Sequence, residues 1–331
     1  MAIEKKTIAI TGSTGLIGAR LVSVLLGEGY RLRALSRRPQ QNLPGISQIQ
    51  GDIRSLRDVC GLIRGCSAVV HLAGIAHTSL CTQAEMDEAE RINVDGVRNI
   101  LAAAQNAGVE RVLLASSAHV YAGQEGTGLD EYSPTSGDSF YARTKLMVEQ
   151  AGLEAASANR MAVVIVRPCL TYGPGVRFNL ESLMRAIHGH YYFGVSGTNP
   201  MRSFLSVDNA AAAIAHLMQA GENGRIYNLA DQYPMPLVEF VNSLADHMQV
   251  LRPRNLPMFA IRAAIAGMVP LRWMGLRSPI NRESLRKLIV SFTLDVNALS
   301  ASGFRWPDDG RVTMKRMVDA YLGSREQGQT G

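Results

Sequence analysis

Thr7-Ile8-Ala9-Ile10-Thr11-Gly12-Ser13-Thr14-Gly15-Leu16-Ile17-Gly18 is the stretch on which the reading of the fold turns. A short apolar, partly β-branched run leads into three glycines, and Leu21, Val22, Leu25 and Leu26 then recur on one helical face. Strand, glycine loop and helix in that order are the context a dinucleotide-binding fingerprint needs. Gly12 lets the chain turn, Gly15 lets backbone approach a pyrophosphate, and Gly18 allows close packing of helix on strand. The helix start, through Thr14, Leu16 and Ile17, offers N–H groups to the phosphates. The spacing is G-x-x-G-x-x-G rather than G-x-G-x-x-G, so a purely structural glycine turn is the plain alternative. The strand that feeds the loop directly favours the cofactor.

Further strands follow along the chain. Tyr30 to Leu35 reads as the second, and it ends at Ser36-Arg37-Arg38, where an NAD-preferring protein usually carries an acidic residue for the ribose 2′-hydroxyl. A neutral serine removes that repulsion and two guanidiniums suit a 2′-phosphate, so NADP(H) is favoured over NAD(H), with solvated arginines as the alternative. After the strand Ser47 to Gln50, Asp52 and Ile53 are placed to meet the adenine; a turn-forming aspartate is the other reading. Ala68 to Gly74 is a fourth strand, and its small end, Leu72-Ala73-Gly74, lets backbone approach the cofactor. His71 within it reads as a core histidine, and His77 just beyond is given no chemical role. Glu85 to Ala107 has helical spacing, and its Asn93 and Asn99 either brace the active-site strand or cap and turn the chain.

Arg111 to Ala115 is a buried strand that delivers Ser116-Ser117 at its carboxyl end, where ligands of open α/β sheets bind. Tyr141 and Lys145 are four apart in the helical segment Ser139 to Glu149, so one turn brings phenol and ammonium to one face. An ammonium there is expected to pull the phenol below its usual pKa of about 10, making Tyr141 a general acid/base with Ser117 on the same substrate oxygen. Chance helical spacing on a solvated edge is the bland reading. Met161 to Val166 continues the sheet and ends at Arg167-Pro168. The alternation specifies an α/β fold, a doubly wound parallel sheet of Rossmann type. Residues 1–170 with about 190–235 are expected to form the dinucleotide-binding domain. About 171–189 with 236–323 should form a smaller, mostly helical substrate lobe, and 324–331 a disordered tail.

Composition narrows the classes. With 331 residues, 47% of them hydrophobic, the chain can bury a large core. Cys60, Cys66, Cys81 and Cys169 lack metal-ligand spacing, so reduced thiols are expected and no metal site. A net charge of +6 suits an anionic, phosphorylated substrate, and no basic run is interleaved with aromatics, so nucleic acid is not the expected partner. Leu256 to Leu276 is apolar but broken by Arg262, Pro270 and Arg272, which argues against a membrane-spanning helix. The opening residues lack the pattern of a signal peptide, so a cytoplasmic location is expected.

With the glycine loop, Ser117, Tyr141 and Lys145 in place, the sequence resembles the extended short-chain dehydrogenase/reductases of the nucleotide-sugar epimerase/dehydratase family. His71-Leu72-Ala73-Gly74, Asn93-Val94-Asp95-Gly96, Ser116 to Tyr121, Arg167-Pro168, Tyr172-Gly173-Pro174-Gly175 and Arg202 to Asp208 carry the resemblance over nearly the whole chain. It implies that Tyr141 is the acid/base, that Lys145 binds the nicotinamide ribose, and that Ser117 orients the substrate oxygen. It also implies that Arg167 lies among the cofactor contacts and that Asn179, Arg202 and Arg286 hold the diphosphate of a UDP-sugar. Sugar dehydratases of the family carry Asp-Glu directly after the serine; here Ala118-His119 stand there, so dehydration is not expected. Two hydride transfers at carbon 4 remain. One is reduction of a keto sugar by NADPH, which Ser36-Arg37-Arg38 favour and which resembles bacterial reductases of UDP-4-keto-6-deoxy-N-acetylhexosamine, also through Tyr172 to Asn179 and Leu285-Arg286-Lys287-Leu288. The other is 4-epimerisation with retained NAD. A dinucleotide-binding sensor without turnover would be expected to lose Tyr141 or Lys145. The resemblance further implies a homodimer paired through the helix of Tyr141.

Overall fold

This computed structural model of the chain describes residues 6–38, 45–75, 82–121, 126–158, 160–261, 286 and 288–328. His77, Cys81, Leu285, Lys287 and most of the 256–276 stretch lie outside the described residues.

Seven strands make one parallel sheet: β1 (Thr7–Thr11), β2 (Arg31–Ser36), β3 (Ile46–Gln50), β4 (Ala68–His71), β5 (Arg111–Ala115), β6 (Ala162–Pro168) and β7 (Arg225–Leu229). Their spatial order is β7-β6-β5-β4-β1-β2-β3, wound outward in both directions from β1. The order reverses between β1 and β4, so a crevice opens there at the carboxyl ends of the strands. The strands are short apolar runs because both faces are covered. On one face α1 (Leu16–Gly27) and α7 (Val207–Ala220) bury Leu21, Leu25, Ile214 and Leu217 against Ile8, Ile10 and Val166. On the other, α2 (Leu56–Ile63), α4 (Gly96–Asn106) and α5 (Phe140–Ser157) bury Leu62, Ile100 and Val148 against Val69, Leu114 and Ile165.

The helical stretch read as Glu85 to Ala107 is α3 (Gln83–Glu90) and α4 joined by a π-helical turn, Arg91–Asp95. Asn93 sits within that turn, buried, where the wider backbone changes its direction. α5 starts at Ser139, whose hydroxyl accepts from the Ala142 N–H at 3.1 Å.

The C-terminal region is helical, as expected, and carries short strands as well. Besides α6 (Asn179–His188) and α8 (Leu237–His247) it contains a four-stranded sheet in the order 235–236, 201–202, 292–294, 126–129. Two strand pairs accompany it, Leu170–Tyr172 with Phe204–Ser206 and Gly194–Val195 with Asn255–Leu256. Residues 194–195 and 201–202 pair outside the seven-stranded sheet. Two- and three-residue strands are too short to display an alternating pattern, although Arg202 to Asp208 reads as a short strand before a helix, as found at Phe204–Ser206 and α7. After the lobe the chain returns: α9 (Asn297–Ala301) brings Leu299 into the core beside α7, where Phe304 and Trp306 also pack. The last helix, α10 (Arg311–Gly328), runs past the point at which disorder was expected. It buries Met317, Val318 and Tyr321 against α6 and α8, and Arg325 reaches back to His188 at 3.1 Å.

Gly152 is the closest approach of α5 to the sheet, since a Cβ there would lie 2.9 Å from Leu114 Cδ1 and 3.1 Å from Ile165 Cδ1. Gly152→Val is expected to lower the unfolding free energy by roughly 1–3 kcal/mol through overpacking, measured by urea denaturation.

Candidate active site

The crevice between β1 and β4 is built from close backbone approaches. Gly12 has φ +74°, and a Cβ there would lie 2.7 Å from the Ala73 N atom; a Cβ on Gly18 would overlap the Gly12 carbonyl. The Gly15 N–H donates to Gly12 O at 3.0 Å, and α1 begins at Leu16 with no side chain capping its first turn. Thr14 and Gly15 are exposed, Leu16 and Ile17 half-buried. The N–H groups and positive end of α1 thus face the mouth of the crevice in a cradle that only glycines permit, which fits a dinucleotide pyrophosphate. Thr11 ties the two loops together: its hydroxyl accepts from the Ala73 N–H at 3.3 Å and lies 2.7 Å from His71 Nδ1.

At the end of β2 the Ser36 hydroxyl donates to Arg38 O at 2.6 Å, while Arg37 and Arg38 are exposed. Both oxygens of the Asp52 carboxylate accept from the Arg54 guanidinium, at 3.0 and 2.7 Å, and this pairing holds the carboxyl below its usual range. Asp52 is thus a local turn anchor as well as a neighbour of the crevice. Ile53 is buried, its side chain filling the space beside Gly96, and its carbonyl accepts from Asn99 at 2.9 Å.

β5 and α5 bring Ser117, Tyr141 and Lys145 together. Burial pushes the Tyr141 phenol above its ordinary value, and a hydrogen bond with Ser117 acts in the opposite direction. The Lys145 ammonium lies 5.9 Å from the centre of the Tyr141 ring and donates to Ala115 O at 2.7 Å. Burial pushes Lys145 down to about 8, opposed by the charge of Glu149. The acidification of Tyr141 expected from helical spacing alone is thus overridden by burial, because the ammonium is directed at the strand carbonyl. Lys145 also reaches the end of β4, where a Cβ on Gly74 would lie 3.6 Å from Nζ. Asn93 accepts from the Ile75 N–H at 2.8 Å and donates to Thr144 Oγ1 at 3.2 Å, so it braces the β4 loop against α5. Leu72, Ala73 and Gly74 therefore form the wall between the glycine loop and Lys145. His119 stands edge-on to Tyr141 with ring centres 5.8 Å apart.

The conserved-domain pattern described as the NAD dependent epimerase/dehydratase family matches residues 8–230. The chain belongs to that family. A ketoreductase from Stigmatella aurantiaca, which acts on 4-hydroxy-2-methyl-3-oxo-4-farnesyl-3,4-dihydroquinoline-1-oxide, is 29% identical over 97% of this chain and 97% of its own. A UDP-glucose 4-epimerase from Vibrio cholerae is 30% identical over 72% of this chain and 75% of its own. Among solved structures, MoeE5 in complex with UDP-glucuronic acid and NAD superposes with a TM-score of 0.74 at 26% identity, covering 96% of this chain and 99% of that one.

The family scaffold is completed here by a buried polar hub. Arg167, expected among the cofactor contacts, is 3% exposed and grips Glu149 bidentately, Nε to Oε1 at 2.8 Å and Nη2 to Oε2 at 2.7 Å. Its Nη1 donates to Tyr121 Oη at 2.5 Å and to Glu131 O at 3.1 Å. Those partners occupy the guanidinium inside the protein, behind the crevice. Glu149 also accepts from the Ser116 hydroxyl at 2.5 Å. The sequence signal for Glu149 is its spacing: Tyr141, Lys145 and Glu149 repeat every four residues on one face of α5.

Asn179 opens α6, behind Phe178 at φ 61°, and Arg202 lies in the 201–202 strand, half-buried. Arg286 is exposed. Among the described residues no group of three His, Cys, Asp or Glu side chains could hold a metal, and no helix is long and apolar enough to cross a membrane.

His71 is buried with Nε2 lacking a hydrogen-bond partner among the described residues, and burial, then Lys145, lowers it from 6.5 to about 3. Between those pH values the unfolded chain binds a proton that the folded state refuses, so stability falls as pH falls through this window and is unaffected above it. His71→Gln is expected to flatten that decline, by up to about 1.4 kcal/mol per pH unit, measured by urea midpoints at about pH 7 and about pH 5.

Proposed function

We propose that this protein is an NADPH-dependent ketoreductase that delivers hydride to carbon 4 of a UDP-linked keto sugar, with Tyr141 as proton donor. The observation that carries this reading is the convergence of Ser117, Tyr141 and Lys145 beside Gly74, at the mouth of the glycine cradle. A substrate carbonyl oxygen set against Ser117 and Tyr141 would accept a hydrogen bond from each hydroxyl. The phenol proton then passes to that oxygen as charge builds on it, and the Lys145 ammonium offsets the phenolate left behind. The bound nicotinamide supplies the hydride. Burial favours a protonated Tyr141, which is the form a reductase needs at the start of each turnover.

Ser36, Arg37 and Arg38 support NADPH: the residue at the strand end carries no charge, and two exposed cations follow it. Ala118 and His119 stand where elimination would call for two carboxylates. The end-to-end likeness to a ketoreductase supports one-way reduction. Asn179, Arg202 and Arg286 are the proposed diphosphate contacts, and the active form is read as a cytoplasmic homodimer. A second reading, 4-epimerisation of a UDP-sugar with retained NAD, is supported by the Vibrio cholerae relative and by the NAD complex of MoeE5.

Purified protein is expected to oxidise NADPH with a UDP-4-keto-6-deoxy-N-acetylhexosamine, and to leave UDP-N-acetylglucosamine unchanged. Interconversion of UDP-N-acetylglucosamine and its 4-epimer without added cofactor would replace reduction by the second reading. Tyr141→Phe is expected to lower kcat by about 10²- to 10⁴-fold in steady-state assays while NADPH binding persists by fluorescence titration. Ser36→Asp with Arg37→Ala is expected to move the NADPH/NADH ratio of kcat/KM towards NADH by roughly tenfold or more.

A further inference from the structure

We infer that Glu149 is a positioning residue of the active site: it is the through-space counter-charge of the buried Lys145 and, through Ser116, one half of a clamp that fixes α5 to the end of β5. The inference rests on reading Lys145 as the active-site lysine. Two consecutive residues of the strand end are held by two residues one helical turn apart. The Lys145 ammonium donates to Ala115 O at 2.7 Å, and the Glu149 carboxylate accepts from Ser116 Oγ at 2.5 Å. All three polar side chains are buried, Ser116 3%, Lys145 6% and Glu149 4% exposed. Ser117 follows in the chain, and Tyr141 is the preceding turn of the helix. The clamp therefore sets the separation of the two hydroxyls that meet the substrate.

Glu149 pairs with Arg167 and also shares a helix face with Lys145. Its place four residues after Lys145 puts it on the same face, where its charge attracts the ammonium without a direct contact. Arg167 holds both oxygens in place from β6, and it is anchored in turn by Tyr121 and the Glu131 carbonyl. Among the described residues, Tyr141 on α5, His71 on β4 and the Glu131 carboxylate, which accepts from the Asn228 N–H at 2.7 Å, also face this interior. His71 is neutral over the working range, because burial and then Lys145 hold it near 3. Glu149 is thus the anion whose charge opposes the effect of burial on Lys145.

The chain has five lysines, Lys5, Lys6, Lys145, Lys287 and Lys315, so the side-chain carbon resonances of labelled lysine can be followed one by one through a pH titration. Lys145→Met identifies the relevant signal. The wild-type signal is expected to titrate at about 8. In Glu149→Gln it is expected to titrate lower by about one unit or more. The double variant Glu149→Gln/Arg167→Met leaves no guanidinium without its carboxylate, and the same downward move is expected there. If Glu149 merely holds the structure together, loosening hydrates Lys145 and its titration moves up towards that of an ordinary lysine. A value at or above the wild-type one in the folded variants overturns the inference. No substrate enters the measurement, so a protein that reduces no keto sugar still tests it.

Discussion

A protonated amine buried behind a parallel sheet is costly unless the surrounding structure supplies opposite charge and hydrogen-bond acceptors. Lys145 meets that condition through the Ala115 carbonyl and the charge of Glu149, and much of the neighbouring architecture follows from it. Glu149 needs its own partner, which is Arg167; Arg167 has donors left over, which Tyr121 and the Glu131 backbone accept. Each buried polar group thus recruits the next until the chain of contacts reaches Asn228 on β7. The hub links β6, β7 and α5 with the end of β5, so α5 cannot shift along the sheet without breaking several charge-assisted bonds at once.

The crevice itself is shaped by absence of side chains. Gly12 and Gly18 let α1 begin almost against the carbonyl of the β1 loop, and Gly74 leaves room between Asn93 and Lys145. Small residues therefore line the route from the start of α1 towards Lys145. Thr11 and Asn93 hold the two loops at the switch point in register from opposite sides. A ligand laid along this route would meet fixed backbone on one side and α5 on the other, an arrangement that limits reorganisation.

The second part of the molecule obeys different rules. Its strands are two to four residues long and draw on segments far apart in the chain, so that Gly126–Leu129 finds its partner at Phe292–Leu294. Its core is carried by side-chain packing, with Phe204 stacked on Phe240 at a centroid distance of 3.9 Å and Tyr172 edge-on to the same ring. Variation in such short, non-local pairings can reshape the substrate side while the sheet that holds the cofactor stays unchanged.

Local patterns in the chain determined the parallel sheet, the glycine cradle and the trio Ser117, Tyr141 and Lys145. Apolar runs, three glycines and a four-residue repeat are read within a dozen residues, and the physics behind each is local. The family resemblance implies a cofactor contact for Arg167, whereas the folded chain pairs its guanidinium with the buried Glu149. The pairing of 194–195 and 201–202 outside the seven-stranded sheet, and the docking of α10, depend on partners dozens or hundreds of residues away. The four-residue spacing also predicts that an ammonium acidifies Tyr141, whereas only the folded structure sets how deeply the phenol is buried and which carbonyl the ammonium chooses. Spacing along a helix says which groups share a face; burial and long-range partners decide what charge they carry.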